Sequence, residues 1–352
     1  MSESGKLRYA LIGCGAAGRV HAYHFSRHSG VECVAAVDPD SKALDFFQLH
    51  FGFRQGLSDY SELFDNETID FVSIASPPAF HWSQIEGAVE RGLSVLCEKP
   101  VVTSLKQAAQ LTQALGGFRG VLGVMLPRRF YNNTICVKRV LDAGLLGEIR
   151  EVHFDLKCYK DPSYYKTWRG IRSMTSGGVL MSQAIHSIDQ LIFLFGTPEA
   201  VSGEVRTTRP NIEVEDEAEG WIRFRNGVTV GVVATTNATD TLWQGITSIG
   251  GTKGEIQLDS ARVVCWDVPG VDPPSEEENE EVPPMYKPTY YGPGHRKVIH
   301  AFLAAIQNGE HPVGGGLDSL LSFYTILAFY RSSELKREVS IGRDGRLAEK
   351  DF

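Results

Sequence analysis

A chain of 352 residues is too long for one ordinary core and about right for two. Its 42% apolar and 22% charged residues are typical of a soluble globular protein, and a net charge of −8 argues against nucleic acid or an anionic membrane as partner. No apolar run is long enough to span a bilayer, and the N-terminus has no signal-peptide layout. Six cysteines without a CxxC pair or metal-ligand spacing predict reduced thiols, a cytoplasmic home and no metal site.

The first 125 residues alternate between strand and helix. LRYALIG (7–13) is a continuous apolar strand, followed by a helix over about 17–28. VECVAAVD (31–38) is a second strand, then a helix over about 41–50, a short FRQG piece and a helix around 59–66. IDFVSIAS (69–76) is a strand stopped by Pro77 and Pro78, and a helix over about 79–91 leads to the strand LSVLC (93–97). Thr103 or Ser104 caps a helix to about residue 115, and FRGVLGV (118–124) is the last strand. Apolar strands separated by helices predict an α/β domain over 1–125, a Rossmann-like doubly wound parallel sheet covered on both faces.

The rhythm changes over 126–352. After a helix over about 133–143, longer strands dominate: 148–159, 199–208, 217–236 and 243–259, with hairpin signals at Asn226-Gly227 and Gly251–Gly254. One helix, VLMSQAIHSIDQLIFLF (179–195), interrupts them, and two more follow the acidic stretch DPPSEEENEE, over about 295–308 and 316–333. This predicts an α+β domain with a large, mostly antiparallel open sheet. Its outer face needs covering, so the expectation is a homo-oligomer, dimer or tetramer, built through that sheet.

The chemistry gathers at strand ends. GCGAAG (13–18) follows the first strand and opens the first helix: Gly13 permits the tight turn, Gly15 lets a pyrophosphate approach the backbone, and Gly18 lets helix pack on strand. Ala16 and Ala17 complete this cofactor turn. Asp38 ends the second strand, 20 residues past Gly18, where a carboxylate accepts from a ribose 2′-hydroxyl and repels a 2′-phosphate. The predicted cofactor is therefore NAD in preference to NADP.

Ligands of such sheets bind beyond the carboxyl ends of the strands, which puts Ser76, Pro77, Glu98 and Lys99 along the nicotinamide half. Glu98 suits a ribose hydroxyl, and Lys99 suits proton exchange with a substrate hydroxyl. His81, at the start of the next helix, reads equally as a packed histidine or a cofactor contact. In SGGVLMSQAIHSID (176–189), Gly177-Gly178 allows a close backbone approach, and Ser182, His186 and Asp189, at steps of four and three, share one helical face. YYKTWRG (164–170) brings aromatic rings and donors suited to a sugar or to cofactor phosphates, with Tyr165 on the substrate side. Tyr291 joins the substrate residues by its nearness in sequence to Gly292–His295.

Together GCGAAG, Asp38, SPPAFH, CEKP, Arg129-Phe130, AGLLGEI, WRG, SGGVLMSQAIHSID and GHRKVIHAFLAAI resemble the Gfo/Idh/MocA family over nearly the whole chain. CEKP with the GGxLxxxxxH pattern is the specific part. The resemblance implies reversible hydride transfer between NAD and a secondary alcohol of a sugar, glycoside, nucleotide-sugar or cyclic polyol. It puts Lys99 and His186 beside the reacting carbon as catalytic residues, in either order as principal base, and Trp168 and Arg169 on the cofactor. Arg129, Tyr165, Ser182 and Tyr291 are the expected substrate contacts.

Two positions depart from the family pattern. Ser182 stands where many members carry Asp or Asn, and LPRRF (126–130) where sugar-nucleotide relatives often have a glutamine-asparagine. The alternatives are a keto-sugar reductase with the same residues and a non-catalytic dinucleotide or sugar sensor on the same fold.

Overall fold

The computed structural model describes residues 5–66, 68–239, 243–276, 283, 285, 292–310, 312 and 314–347. The chain divides into two compact units, Met1–Leu126 with Asn279–Asp318, and Pro127–Glu278 with Ser319–Phe352. The break near residue 126 lies one residue from the expected boundary. The second unit is not continuous in sequence, however, because 279–318 returns to the first.

The first unit alternates β1 (Leu7–Ile12), α1 (Ala16–Ser26), β2 (Val31–Val37), α2 (Ser41–Phe51), β3 (Gln55–Leu57), α3 (Tyr60–Asn66), β4 (Phe71–Ile74), α4 (Pro78–Glu90), β5 (Ser94–Cys97), α5 (Leu105–Leu115) and β6 (Leu122–Val124). The strands pair in parallel in the order β3-β2-β1-β4-β5-β6, the Rossmann arrangement. β4 and β5 are buried throughout, as strands covered on both faces must be.

The FRQG piece supplies the edge strand β3, too short to show a period in sequence. Local capping sets the helix ends: the Asp40 side chain accepts from Lys42 N, and Ser104 from Gln107 N, while Gln107 Oε1 accepts from Thr103 N. Phe302, from the returning segment, explains why that segment belongs here. Its ring packs against Phe71 at 5.7 Å, and Gly123 leaves the space it occupies.

The second unit holds α6 (Asn132–Asp142), β7 (Ile149–Cys158), α7 (Ile185–Phe195), β8 (Pro198–Arg206), β9 (Glu217–Phe224), β10 (Thr229–Thr235), β11 (Trp243–Gly251), β12 (Glu255–Asp259) and β13 (Arg262–Asp267). In chain order α8 (Gly294–Asn308), of the first unit, precedes α9 (Leu320–Leu335) and β14 (Val339–Ser340). The eight-stranded sheet runs β13-β12-β11-β7-β10-β9-β8-β14 and is antiparallel except where β7 and β10 pair in parallel. The predicted hairpins at Asn226-Gly227 and Gly251–Gly254 join β9 to β10 and β11 to β12. β13 and β14 were not expected from the pattern.

One face of the sheet is buried under α7 and α9: Val152, Phe154 and Leu156 of β7 face inward, and Gly203 and Gly220 make room for Phe329 of α9. The segment Arg172–Phe195 is apolar and long enough to cross a membrane by composition, but 78% of its most apolar window is buried inside the fold.

Candidate functional site

In the first unit, the turn after β1 is built for close approach. Gly13 has φ +99°, and a Cβ there would lie 2.5 Å from Ser76 N; a Cβ on Gly18 would lie 2.1 Å from Gly13 O. Both positions therefore require glycine. Gly15, the residue before α1, is exposed, and a Cβ there meets nothing within 4 Å. Gly15, Ala16 and Ala17 thus leave open the mouth of a helix whose first N–H groups lack side-chain caps, an anion-accepting arrangement.

Asp38 stands at the same mouth. Its carboxylate accepts from Cys14 N at 2.8 Å and from Asp40 N at 2.9 Å, which fixes its direction while leaving acceptor capacity.

The strand-end loops are tied from behind. His81 is fully buried, with Nδ1 2.8 Å from Pro100 O and Nε2 2.8 Å from Ser76 O. Burial pushes its pKa down, against the pull of the two carbonyls. Of the two readings open for His81, the packed one holds. It clamps the Ser76 loop to the Pro100 loop and has no ring nitrogen left for a cofactor. Ser76 Oγ donates to Gln84 Oε1 at 2.7 Å, and Pro77 precedes α4.

Glu98 is also more enclosed than expected. It is 9% exposed, and Oε1 lies 3.3 Å from His21 Nε2 of α1. Burial would raise its carboxyl, but the His21 hydrogen bond and the charges of His21, His295 and Lys99 outweigh that, so it lies below the usual carboxyl range. Lys99 is half-buried at the end of β5. His21 was missed in the sequence; its position one helical turn after Gly18 was the available signal.

In the second unit, the helix predicted over 179–195 starts with a π turn at Leu180–Ala184 before α7 continues it. From Val179 to Ile192 every residue is buried except Ser182, Gln183 and His186. The expected face therefore exists, but its membership differs. Gln183 belongs to it, donating to Tyr164 Oη at 3.0 Å and to Ser182 Oγ at 3.3 Å, while Ser182 Oγ donates to Gly178 O at 2.6 Å.

Asp189 is fully buried and turned away, receiving Arg129 Nε at 2.7 Å and Nη2 at 2.6 Å. This corrects the expectation for Arg129 as well. Its guanidinium, 7% exposed, is committed to a two-pronged ion pair inside the fold instead of to substrate.

Tyr165 is likewise structural. It is 7% exposed, its hydroxyl lies 2.7 Å from Thr236 Oγ1, and burial pushes its pKa up to about 12. Trp168 and Arg169 are half-exposed, the guanidinium stacked 4.4 Å from the Trp168 ring centre and 5.2 Å from that of Tyr164. Tyr291 lies outside the described residues. Among the described residues no group of three or more His, Cys, Asp or Glu side chains could hold a metal ion.

Comparison with known proteins decides the family. A family model described as oxidoreductase family, NAD-binding Rossmann fold, matches residues 7–124, and one for the GFO/IDH/MocA C-terminal domain matches 135–257. The chain belongs to the GFO/IDH/MocA family of oxidoreductases.

Among its relatives are D-apiose dehydrogenase of Rhizobium rhizogenes, 26% identical over 96% of this chain and 98% of the relative, and inositol 2-dehydrogenase of Rhizobium meliloti, 25% identical over 95% and 99%. The fold is shared with the WlbA dehydrogenase of Bordetella pertussis, solved with NADH and UDP-GlcNAcA, at TM-score 0.84 and 24% identity over 96% of this chain and 99% of that one. Levoglucosan dehydrogenase, solved with NADH and levoglucosan, superposes at TM-score 0.82 and 23% identity over 95% and 99%.

The family model that matches the first unit describes an NAD-binding Rossmann fold, and the first unit fits that cofactor. The space beside Gly15 that no Cβ would fill admits a pyrophosphate, and the fixed Asp38 carboxylate suits a ribose diol.

Proposed function

We propose that the protein is an NAD-dependent dehydrogenase acting on a secondary alcohol of a sugar, glycoside, nucleotide-sugar or cyclic polyol. The carrying observation is the half-exposed trio Ser182, Gln183 and His186 on a helix otherwise buried from Val179 to Ile192. A polar face kept out of the core on so apolar a helix suits a polyhydroxylated ligand. The names of the relatives, an apiose and an inositol dehydrogenase, support the same substrate class.

When bound, NAD supplies the hydride acceptor. The chain supplies the rest. The turn Gly13–Gly18 and Asp38 bind the dinucleotide, Ser76 and Pro77 shape the nicotinamide side, and Glu98, buried against His21, lies behind Lys99. Lys99 takes the hydroxyl proton or stabilises the alkoxide, and His186 orients the hydroxyl or shares the acid–base work. The test is NADH formation on a panel of free sugars, inositols, glycosides and nucleotide-sugars by wild type and Lys99→Ala. Turnover by wild type alone supports the assignment; a fully active Lys99→Ala overturns it.

All six cysteines are free thiols, which supports a cytoplasmic location. The outer face of the eight-stranded sheet bears Trp221, Val233 and Ile246 between charged residues, which supports self-association through that face.

A further inference from the structure

The helix that carries His186 does not cap itself. It begins SGGV, and its first residues have no side-chain cap of their own. Instead Glu215, 1% exposed, takes three successive N–H groups: Gly178 N on Oε2 at 2.8 Å, Val179 N on its backbone oxygen at 2.8 Å, and Leu180 N on Oε1 at 3.1 Å. Tyr330 of α9 donates its hydroxyl to the same Oε1 at 2.9 Å.

The two glycines exist for this contact. A Cβ on Gly177 would lie 1.9 Å from Tyr330 Oη, and one on Gly178 would lie 1.7 Å from Glu215 O. The close approach expected at Gly177-Gly178 is thus made by the protein's own clamp. In the acidic run EVEDEAEG (213–220), Glu215 and Asp216 are the buried acids, while Glu213 and Glu219 are exposed.

The middle of the helix is fixed too, by the buried pair of Asp189 with Arg129. Between these two anchors lies the π turn Leu180–Ala184. A π turn holds one residue more than an α turn, and one residue is about 100° of helix phase. The extra residue lets both anchors be satisfied at once, and it sets how Ser182 and Gln183 are rotated relative to His186.

We propose that Glu215, steadied by Tyr330, is a positioning residue that holds this π turn and thereby sets the direction in which the face of Ser182, Gln183 and His186 is presented to substrate. The proposal rests on the functional reading above. A freed helix start would let the turn relax toward α geometry and rotate Ser182 and Gln183 relative to the anchored Asp189, leaving the dinucleotide turn of the first unit untouched.

The test is Tyr330→Phe, which removes one hydroxyl, alongside Glu215→Gln. The expected result is a fall of about tenfold or more in kcat/KM for the sugar, with KM for NAD unchanged within about twofold and the fold intact by circular dichroism. Unchanged sugar kinetics in Tyr330→Phe, or equal losses for sugar and NAD, would overturn it. Should wild type turn over nothing on the panel, the functional reading fails on its own account. The clamp is then read from the His186 ring resonances: a changed shift and titration midpoint in Tyr330→Phe supports it, and unchanged ones overturn it.

Discussion

Glu98, Lys99 and His81 show how one short region divides its labour. Glu98 faces inward to His21, His81 bridges Ser76 and Pro100, and Lys99 is left half-exposed at the strand end. Lys99→Ala should lower kcat by about a hundredfold or more while leaving the dissociation constant for NAD within about twofold, as expected for loss of a proton-transfer group. Fluorescence titration with NADH alongside steady-state rates separates the two effects.

His81→Ala should behave differently. It removes the one ring N–H of a neutral imidazole that can donate to the Pro100 or the Ser76 carbonyl, costing on the order of 1–3 kcal/mol of stability, visible as a lower urea midpoint. An unchanged midpoint with a raised KM for NAD would restore His81 as a cofactor contact. The sequence placed His81, Arg129 and Tyr165 near the site because polar side chains at strand ends and beside glycines look alike whether they face inward or outward. Arg129 and Tyr165 turn inward because each finds a buried partner far along the chain, Asp189 and Thr236. No local pattern carries that information.

Among the elements, α1 and α8 of the first unit bring His21, His24 and His295 together, with the rings of His28 and His300 meeting edge-on at 6.0 Å nearby. Burial lowers His24 from 6.5 to about 3, helped by the charges of His295, His21, His300 and Arg296. Burial likewise lowers His295 from 6.5 to about 4; Glu98 and the Gly292 carbonyl oppose this, while His21 and Lys99 add to it.

Both histidines are neutral in the fold, so the unfolded chain binds more protons below the ordinary histidine pKa. Their contribution to stability is complete above pH 6.5 and is lost as pH falls, toward about 4 for His295 and about 3 for His24. The loss should approach about 1.4 kcal/mol per pH unit per group. Urea midpoints at several pH values should show the slope, and His24→Gln should flatten it; an equal slope in the variant would remove His24 as the cause.

At this scale the long strands and helices were legible from apolar period alone. The three-residue β3, the late β13 and β14, and the π turn were not. A single extra residue in a helix leaves a 3.6-residue pattern nearly unchanged, and the acid that fixes it, Glu215, lies 37 residues from Gly178.

For the molecule as a whole, the boundary near residue 126 could be read because the rhythm of the chain changes there. The return of 279–318 to the first unit could not, since it depends on Phe302 finding Phe71 and Gly123. The open sheet face carries the expectation of assembly. Wild type should sediment as a dimer or tetramer, and Val233→Glu, which sets a charge among exposed β10 side chains, should shift it toward monomer without unfolding. An unshifted assembly would move the contact elsewhere.

The central claim is that this chain oxidises sugar or polyol hydroxyls with NAD through Lys99 and His186. The most direct test is NADH formation by wild type, Lys99→Ala and His186→Ala across the sugar and polyol panel, with NAD binding measured on the same samples. The account predicts turnover of at least one substrate by wild type and its loss in both variants, with NAD still bound by all three. Full activity in either variant, or NAD binding with no turnover across the panel, would contradict it.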